Sequence, residues 1–235
     1  MRFYFSLKAL LKSRLLFTIL ISLVIISSFR LVGNTEDLKI EQSQSLTSVE
    51  IREYQGEDLS SIIDFRENSI RGPQKVNIDD YKLEITGLVQ EAKTFKYSDI
   101  LENNERYKKV ATLYCVEGWD AKILWEGFLV SDLIGIDNIT PEAKTIIFHA
   151  YDGYTTSFPV DYIIDNHILL AYKMNELTLP AERGFPFQLV AESKWGYKWI
   201  KWVTKIELSD DEEYQGFWES RGYNNEGDLD KFFFD

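Results

Sequence analysis

The sequence predicts an α+β domain in which mixed sheets combine with a few short helices. Apolar and polar residues alternate over many short stretches, which is typical of strands. Helix signals are few and short. The chain has 235 residues, of which 45% are hydrophobic and 14% aromatic, enough for one domain with a substantial core. Many short strands with few helices indicate the α+β class.

Six strands follow from this alternation and from apolar runs that end at turn signals. The first, residues 81–89 (YKLEITGLV), has the pattern of a half-buried strand. The second is apolar and ends at the only cysteine of the chain. In order, the predicted strands cover residues 81–89, 110–115, 144–150, 168–174, 187–191 and 202–208.

Three short helices and three breaks separate these strands. One helix starts near Ser98, a candidate N-cap, the second covers residues 130–136, and the third follows Pro159 and ends at Ile164. Gly127 with Phe128 is predicted to form a turn before the second helix, and residues 152–153 (DG) form another. Residues 180–186 contain two prolines and one glycine, so we expect a loop there.

The first 33 residues are predicted to direct the chain to a membrane. Basic residues precede an apolar run over residues 15–29, as in a signal anchor or a signal peptide. Both alternatives place the following domain outside the cytoplasm, since positive charge stays inside. Residues 34–60 are polar and predict a linker. Residues 61–235, including an acidic and aromatic tail, form the predicted domain.

Charge and residue types exclude two classes of partner. The formal net charge of −12 argues against a nucleic-acid partner, because phosphates would be repelled over most of the surface. The two histidines, His149 and His167, are well separated, which argues against a histidine-rich metal site. The single Cys115 cannot form an internal disulfide. It is either a small buried hydrophobic residue or a thiolate with a chemical task.

Residues 62–223 resemble the molybdopterin-dependent oxidoreductases of the sulfite oxidase fold, especially bacterial periplasmic methionine sulfoxide reductase catalytic subunits. Four segments carry the resemblance: residues 115–119 (CVEGW) with 125–128 (WEGF), the strand 81–89, residues 183–190 (RGFPFQLV), and residues 195–202 (WGYKWIKW). Their order and spacing agree with the family. The resemblance implies a molybdenum–molybdopterin cofactor, with Cys115 as the protein ligand to molybdenum. A thiolate suits this soft metal.

The resemblance also implies which residues hold the pterin and which face the substrate. The implied cofactor contacts are Arg66, Glu67, Asn68, Arg71, Glu117, Arg183, Gly196, Tyr197, Lys198 and Lys201. The substrate-side candidates are Trp119, His149, Tyr151, Asp152 and Tyr154. Alternatives stay open: Lys198 and Lys201 are equally typical of surface lysines on opposite sides of a strand. His149 fits a structural role, and residues 151–154 fit a simple turn.

The function implied is two-electron oxygen-atom transfer on a small sulfur-oxide substrate, by S-oxide reduction or sulfite-like oxidation. Electrons would pass to or from a separate partner such as a membrane cytochrome, and we expect a monomer because there is no room for a dimerisation domain. The chain departs from the family pattern at Arg183 and Gln188 and lacks a twin-arginine motif. These departures favour an alternative, a cofactor-free module that binds a small ligand. In a third hypothesis, Phe217, Trp218 and Tyr223 of the tail dock a partner.

Overall fold

A computed structural model describes residues 50–234. The elements alternate short strands with shorter helices, as the sequence predicts. The strands are β1 (Glu53–Tyr54), β2 (Glu57–Asp58), β3 (Lys82–Gly87), β4 (Lys93–Lys96), β5 (Tyr107–Tyr114), β6 (Asp120–Leu129), β7 (Thr145–Ala150), β8 (Thr155–Pro159), β9 (Leu169–Met174), β10 (Leu177–Thr178), β11 (Gln188–Val190) and β12 (Val203–Ser209). The α-helices are α1 (Tyr97–Asn103), α2 (Val130–Ile134) and α3 (Val160–Asp165).

One sheet has the strand order β10–β9–β6–β5, and β11 also pairs with β9. All of its pairings are antiparallel. The long pairing of β5 with β6 joins Tyr107 to Gly127 at one end and Tyr114 to Asp120 at the other. This hairpin ends at the connection that contains Cys115, so the sheet holds that residue at its edge.

The second five-stranded sheet has the order β4–β3–β12–β7–β8. Its central pair, β3 with β12, is parallel, and the other pairs are antiparallel. The sheet is therefore mixed, as predicted. Tyr81 donates a hydrogen bond of 2.5 Å from its hydroxyl to the carbonyl oxygen of Val203, which ties the start of β3 to β12.

A hydrophobic core takes side chains from both sheets. Ile123 and Trp125 of the first sheet and Ile85 and Phe148 of the second are fully buried members of the same cluster. Trp125 also donates from Nε1 to the carbonyl oxygen of Ala111 at 3.1 Å. Because its polar atom is satisfied, the indole can be buried completely.

The turn predicted at Gly127 and Phe128 is wrong. Both residues lie inside β6, where the register shifts between Glu126 and Gly127. A Cβ atom at position 127 would lie 2.3 Å from the carbonyl oxygen of Leu170 in β9. The glycine is required by the close approach of two strands and not by a turn.

Two further boundaries differ from the prediction. Residues 50–60, assigned to the linker, include the β1–β2 hairpin, and the carboxylate of Glu50 accepts a hydrogen bond of 2.7 Å from Ser61 and one of 2.8 Å from the Ile62 amide. Helix α1 is capped at Lys96 rather than Ser98, since the carboxylate of Asp99 accepts the Lys96 amide.

The predicted signal segment, residues 1–33, lies outside the described residues, as does most of the predicted linker. Over residues 50–234, none of the helices has the length and apolar character needed to span a membrane.

Candidate active site

A cavity of about 420 Å³ opens beside the end of β5. This volume lies within the range of small-molecule and cofactor sites. Three chain segments and several single side chains form its walls. The segments are residues 65–70, 113–119 and 196–202, except that Tyr114, Gly118 and Lys198 do not line the cavity. The single side chains are those of Asp152, Tyr154, Arg183, Gln188, Trp218 and Tyr223.

Cys115 lies at the point where β5 ends and the chain turns. Its amide donates to the carbonyl oxygen of Trp119 at 2.9 Å, and Gly118 closes the turn with a φ of +85° that favours glycine. The thiol accepts hydrogen bonds from the Asn68 side chain at 3.4 Å and from the Glu117 amide at 3.5 Å. Both donors favour a thiolate.

The free thiol is nevertheless held in its neutral form. Burial raises the pKa of Cys115 above its ordinary value and outweighs the hydrogen bonds from the Glu117 amide and Asn68. Since metal coordination removes a thiol proton outright, this environment suits a metal ligand better than a free nucleophile.

Gly196 brings a third segment against Cys115. It begins a short 3₁₀ helix, Gly196–Lys198, directly after an isolated parallel bridge between Tyr114 and Trp195. A Cβ atom at position 196 would lie 3.0 Å from the carbonyl oxygen of Tyr114 and 3.5 Å from Cα of Cys115. Glycine therefore permits the backbone contact that forms this corner of the cavity.

The segment 65–68 carries three of the predicted cofactor contacts, and all three line the cavity. Asn68 contacts the sulfur of Cys115, as described above. Glu67 pairs with Lys201 at 2.6 Å. Arg66 is largely exposed and approaches Glu117 at 3.9 Å. Burial lowers the pKa of Lys201, and the bond to Glu67 opposes that shift.

Arg183 lines the cavity, but most of its hydrogen-bonding capacity is used elsewhere. Its Nε donates to the carbonyl oxygen of Ile62 at 3.1 Å and Nη1 to that of Arg66 at 3.0 Å, while Nη2 donates to Phe65. The guanidinium also lies 3.9 Å from the centroid of the Phe65 ring. Arg183 thus fixes the segment that carries Arg66 to Asn68, so it acts on the site through that segment.

Lys198, a predicted cofactor contact, does not line the described cavity. Its side chain is fully buried and forms an ion pair of 2.8 Å with Glu219, which is also fully buried. A further hydrogen bond of 2.8 Å goes to the carbonyl oxygen of Asn225. Residues 196–198 form a 3₁₀ helix rather than a strand, so this turn directs Lys198 inward, while Lys201 lines the cavity.

Three other predicted residues lie away from the cavity walls. Arg71 is exposed, and its Nη2 lies about 4.0 Å from the position of a Cβ on Gly153. His149 bonds to Glu207 at 2.8 Å on the neighbouring strand, which is the structural role left open above. Tyr151 is 57% exposed in a turn. None of these three lines the described cavity.

Trp119, Tyr154 and Tyr197 do line the cavity. Trp119 packs on Phe65 with ring centroids 5.7 Å apart and donates to Glu117 at 3.4 Å. The hydroxyl of Tyr154 donates to the carbonyl oxygen of Tyr197 at 2.5 Å. Burial raises the pKa of Tyr154 well above 10. Its hydroxyl is bound to the backbone, so the ring acts as wall and not as an acid.

Several wall residues were not predicted as site residues. Gln188 was noted only as a departure from the family pattern, and Trp218 and Tyr223 only as tail aromatics. Ser69 belongs to the segment compared with the cofactor-binding segment of the family, but it was not itself predicted as a contact. It sits between the predicted Asn68 and Arg71, and only its position in the fold marks it.

The residues of this cavity fit a molybdenum–molybdopterin cofactor. Among the described residues, no cluster of three or more His, Cys, Asp and Glu could hold a metal ion. One soft thiolate, that of Cys115, fits a metal whose remaining ligands come with an organic group. The hydroxyl oxygen of Ser69, on the cavity wall, is buried without a hydrogen-bond partner among the described residues. A polar group of the cofactor would satisfy it.

The known proteins that are similar to this chain include the following three. YuiH of Bacillus subtilis, an uncharacterized oxidoreductase, is 31% identical over 157 residues, 66% of this chain and 78% of the relative. The putative protein-methionine-sulfoxide reductase subunit YedZ1 of Azospira oryzae is 30% identical over 152 residues, 64% of this chain and 57% of the relative. The protein-methionine-sulfoxide reductase catalytic subunit MsrP of Campylobacter jejuni is 29% identical over 164 residues, 63% of this chain and 54% of the relative. The chain thus spans little more than half of the last two.

A solved structure shares the fold. The sulfane dehydrogenase SoxCD of Paracoccus pantotrophus superposes with a TM-score of 0.58 at 24% identity, over 66% of this chain and 43% of that one. The predicted α+β fold of the sulfite oxidase type is confirmed. A family model described as the oxidoreductase molybdopterin binding domain matches residues 70–218. The chain belongs to this family of molybdopterin-dependent oxidoreductases.

Proposed function

We propose that this enzyme reduces a small neutral S-oxide by two-electron oxygen-atom transfer. The reaction consumes two electrons and two protons, breaks the sulfur–oxygen bond, and releases the sulfide and water. Sulfite-like oxidation is the alternative direction. The charge of the cavity wall is the observation that favours S-oxide reduction over sulfite-like oxidation.

Three cations and three acids line the described cavity, so the wall has no excess positive charge. The cations are Arg66, Arg183 and Lys201, and the acids are Glu67, Glu117 and Asp152. Lys201 is paired with Glu67, and Arg183 is bound to backbone carbonyls. The cofactor itself carries a phosphate. A further anion such as sulfite would therefore enter a site with little free positive charge, whereas a neutral S-oxide would not be repelled.

Within this proposal each side chain has a defined task. Cys115 is the protein ligand to molybdenum, and Asn68 with the Glu117 amide stabilises its sulfur as a thiolate. Gly196, Tyr197, Ser69, Glu67 and Lys201 contact the pterin, Trp119 and Tyr154 wall the substrate side, and Arg66 with Glu117 borders the entrance. The bound cofactor supplies the two-electron redox chemistry, and the protein supplies position and electrostatics.

The proposal includes a separate electron donor and a location outside the cytoplasm. Two of the relatives are described as reductase subunits, which supports a further redox partner, such as a membrane cytochrome. The basic and apolar pattern of residues 1–33 supports export and anchoring to the membrane. We expect a monomer in solution.

The test is the replacement of Cys115 by serine in the full chain, produced in a host that makes the cofactor. We expect about one molybdenum per wild-type chain by elemental mass spectrometry, and reduction of dimethyl sulfoxide or methionine sulfoxide by a reduced viologen dye. Cys115→Ser should lower the rate by more than about 100-fold, since even partners of metal ligands cost 10–100-fold. Thr112→Ser, on β5 but outside the cavity wall, is the matched control.

Three outcomes would contradict the proposal in different ways. A fully active Cys115→Ser enzyme would remove the assignment of the metal ligand. Oxidation of sulfite without reduction of any S-oxide would reverse the direction. A folded wild-type chain that contains neither molybdenum nor pterin would favour the cofactor-free binding module.

A further inference from the structure

The chain after β12 folds back onto the cavity. We call residues 216–231 the C-terminal strap. The family model ends at residue 218, so most of the strap lies beyond it. Backbone hydrogen bonds fix its two ends. The amide of Phe217 donates to the carbonyl oxygen of Thr155 at 2.9 Å, and the amide of Leu229 donates to that of Ser193 at 3.0 Å.

The strap is joined to the segment that forms the floor beside Cys115. Trp195 donates from its amide to the carbonyl oxygen of Gly227 at 2.8 Å, and Lys194 pairs with Asp228. The next residue along the chain is Gly196, whose backbone contacts Tyr114 and Cys115. The strap therefore holds a segment that belongs to the cavity.

A buried ion pair locks the same two parts of the chain together. Glu219 of the strap binds Lys198 at 2.8 Å and accepts a hydrogen bond of 2.6 Å from the hydroxyl of Thr156. Both members of the pair are fully buried. The attraction between two buried charges offsets the cost of their desolvation only where the geometry is good and further hydrogen bonds satisfy both groups, and Thr156 and Asn225 supply such bonds here. The strap is consequently a fixed part of this domain.

Two aromatic residues of the strap reach the cavity. Trp218 and Tyr223 both line it, with ring centroids 5.2 Å apart. Tyr223 in turn packs against Tyr197, another wall residue, at 5.0 Å. The strap thus adds two flat rings to a wall that already contains Tyr197. Flat rings are well suited to a planar heterocycle, because stacking does not depend on its substituents.

We propose that Trp218 and Tyr223 form a binding wall for the pterin ring system, so that the strap completes the cofactor site. The proposal rests on the function proposed above, which places the cofactor in this cavity. The strap is a binding element of the site, and the role of its two rings is to slow the escape of the cofactor.

The experiment measures how long the pterin stays on the full-length protein. Loaded wild-type chain is dialysed at pH 7, and bound pterin is followed by fluorescence after oxidative release, beside molybdenum content. Trp218→Leu and Tyr223→Leu keep bulk but remove the flat ring, and Trp218→Phe and Tyr223→Phe keep a ring. Phe233→Leu is the matched control, because Phe233 packs on Tyr223, with ring centroids 6.2 Å apart, but does not itself line the cavity.

We expect the leucine variants to lose pterin at least roughly fivefold faster than wild type, as loss of one stacked ring would cause. The phenylalanine variants and Phe233→Leu should stay within about twofold of wild type. Thermal unfolding of each cofactor-free variant separates loss of the wall from loss of the fold. A leucine variant that unfolds early is replaced by the methionine variant at the same position, which also lacks the flat ring and is expected to lose pterin equally fast.

Two outcomes overturn the proposal and are distinguishable. If the wild-type chain binds the cofactor but the leucine variants retain pterin as long as Phe233→Leu does, the proposed role of Trp218 and Tyr223 is refuted and the proposed function is not. A wild-type chain that never contains pterin or molybdenum would refute the proposed function and the strap wall together.

Discussion

The buried pair between Lys198 and Glu219 gives a quantitative prediction about the stability of the cofactor-free fold. Both side chains have zero exposure, and the two charged atoms lie 2.8 Å apart. Lys198→Met leaves a carboxylate in the interior with only the hydroxyl of Thr156 to bind it. Glu219→Met leaves a buried ammonium with the carbonyl oxygen of Asn225. Each single change should lower the free energy of unfolding by about 3–5 kcal/mol.

The double variant, Lys198→Met with Glu219→Met, should be far less damaging than either single one. It removes both charges and leaves mainly the hydroxyl of Thr156 without a partner, a cost of about 1–3 kcal/mol. Lys205→Met is the control, because its pair with Glu207 is about one-third exposed and pairs of that kind contribute about 0.2–1 kcal/mol.

The assay is urea unfolding of the cofactor-free full chain at pH 7, followed by circular dichroism. Domains of this kind have total stabilities of about 5–15 kcal/mol, so a loss of 3 kcal/mol moves the midpoint clearly. The reasoning would be refuted if each single variant lost under 1 kcal/mol. It would also fail if the double variant lost as much as the sum of the two single variants.

Two further predictions concern the floor of the cavity and the first sheet. Gly196→Ala would place a Cβ 3.0 Å from the carbonyl oxygen of Tyr114. It should lower the free energy of unfolding by about 1–3 kcal/mol, as followed by thermal unfolding. It should also lower the molybdenum content, as measured by elemental mass spectrometry. Burial opposes ionisation of Glu126, but Tyr172 and Lys173 outweigh it and hold its pKa below 4.5. The ionised Glu126 therefore stabilises the fold above pH 4.5, and this contribution is lost as the pH falls through the pKa of Glu126 in the folded state. The free energy of unfolding that Glu126→Gln loses relative to wild type, measured in urea, should therefore become smaller below pH 4.5. A loss that does not change with pH would contradict the lowered pKa of Glu126.

The sequence predicted the parts of the fold that depend on local pattern. Alternation located β3, and apolar runs located β7 and β9, because these strands have buried faces of fixed period. It missed β6, since Trp125, Glu126, Gly127 and Phe128 suggest a turn while the glycine serves a contact with β9. A close approach between strands distant in the sequence leaves no local signal.

The sequence predicted the site residues that belong to motifs with a fixed local structure. Cys115 and Asn68 lie together because the cysteine motif and the segment 65–68 meet at one wall. Arg183, a predicted cofactor contact, lines the cavity and also binds three carbonyl oxygens of the segment 62–66. An arginine at this place in the loop motif has the same charge whether it contacts the cofactor or binds the segment 62–66. Only the tertiary position of that segment distinguishes the two roles.

Lys198 shows why a family motif does not determine the role of each residue within it. Its partner Glu219 follows 21 positions later and just beyond the part of the chain that the family model covers. That spacing matches neither a helix nor a strand, so no periodic pattern reveals the pair. A tail without Glu219 would leave this buried lysine without its ion-pair partner, and burial would then favour its neutral form. The role of Lys198 consequently depends on the C-terminal strap as much as on the motif that contains it.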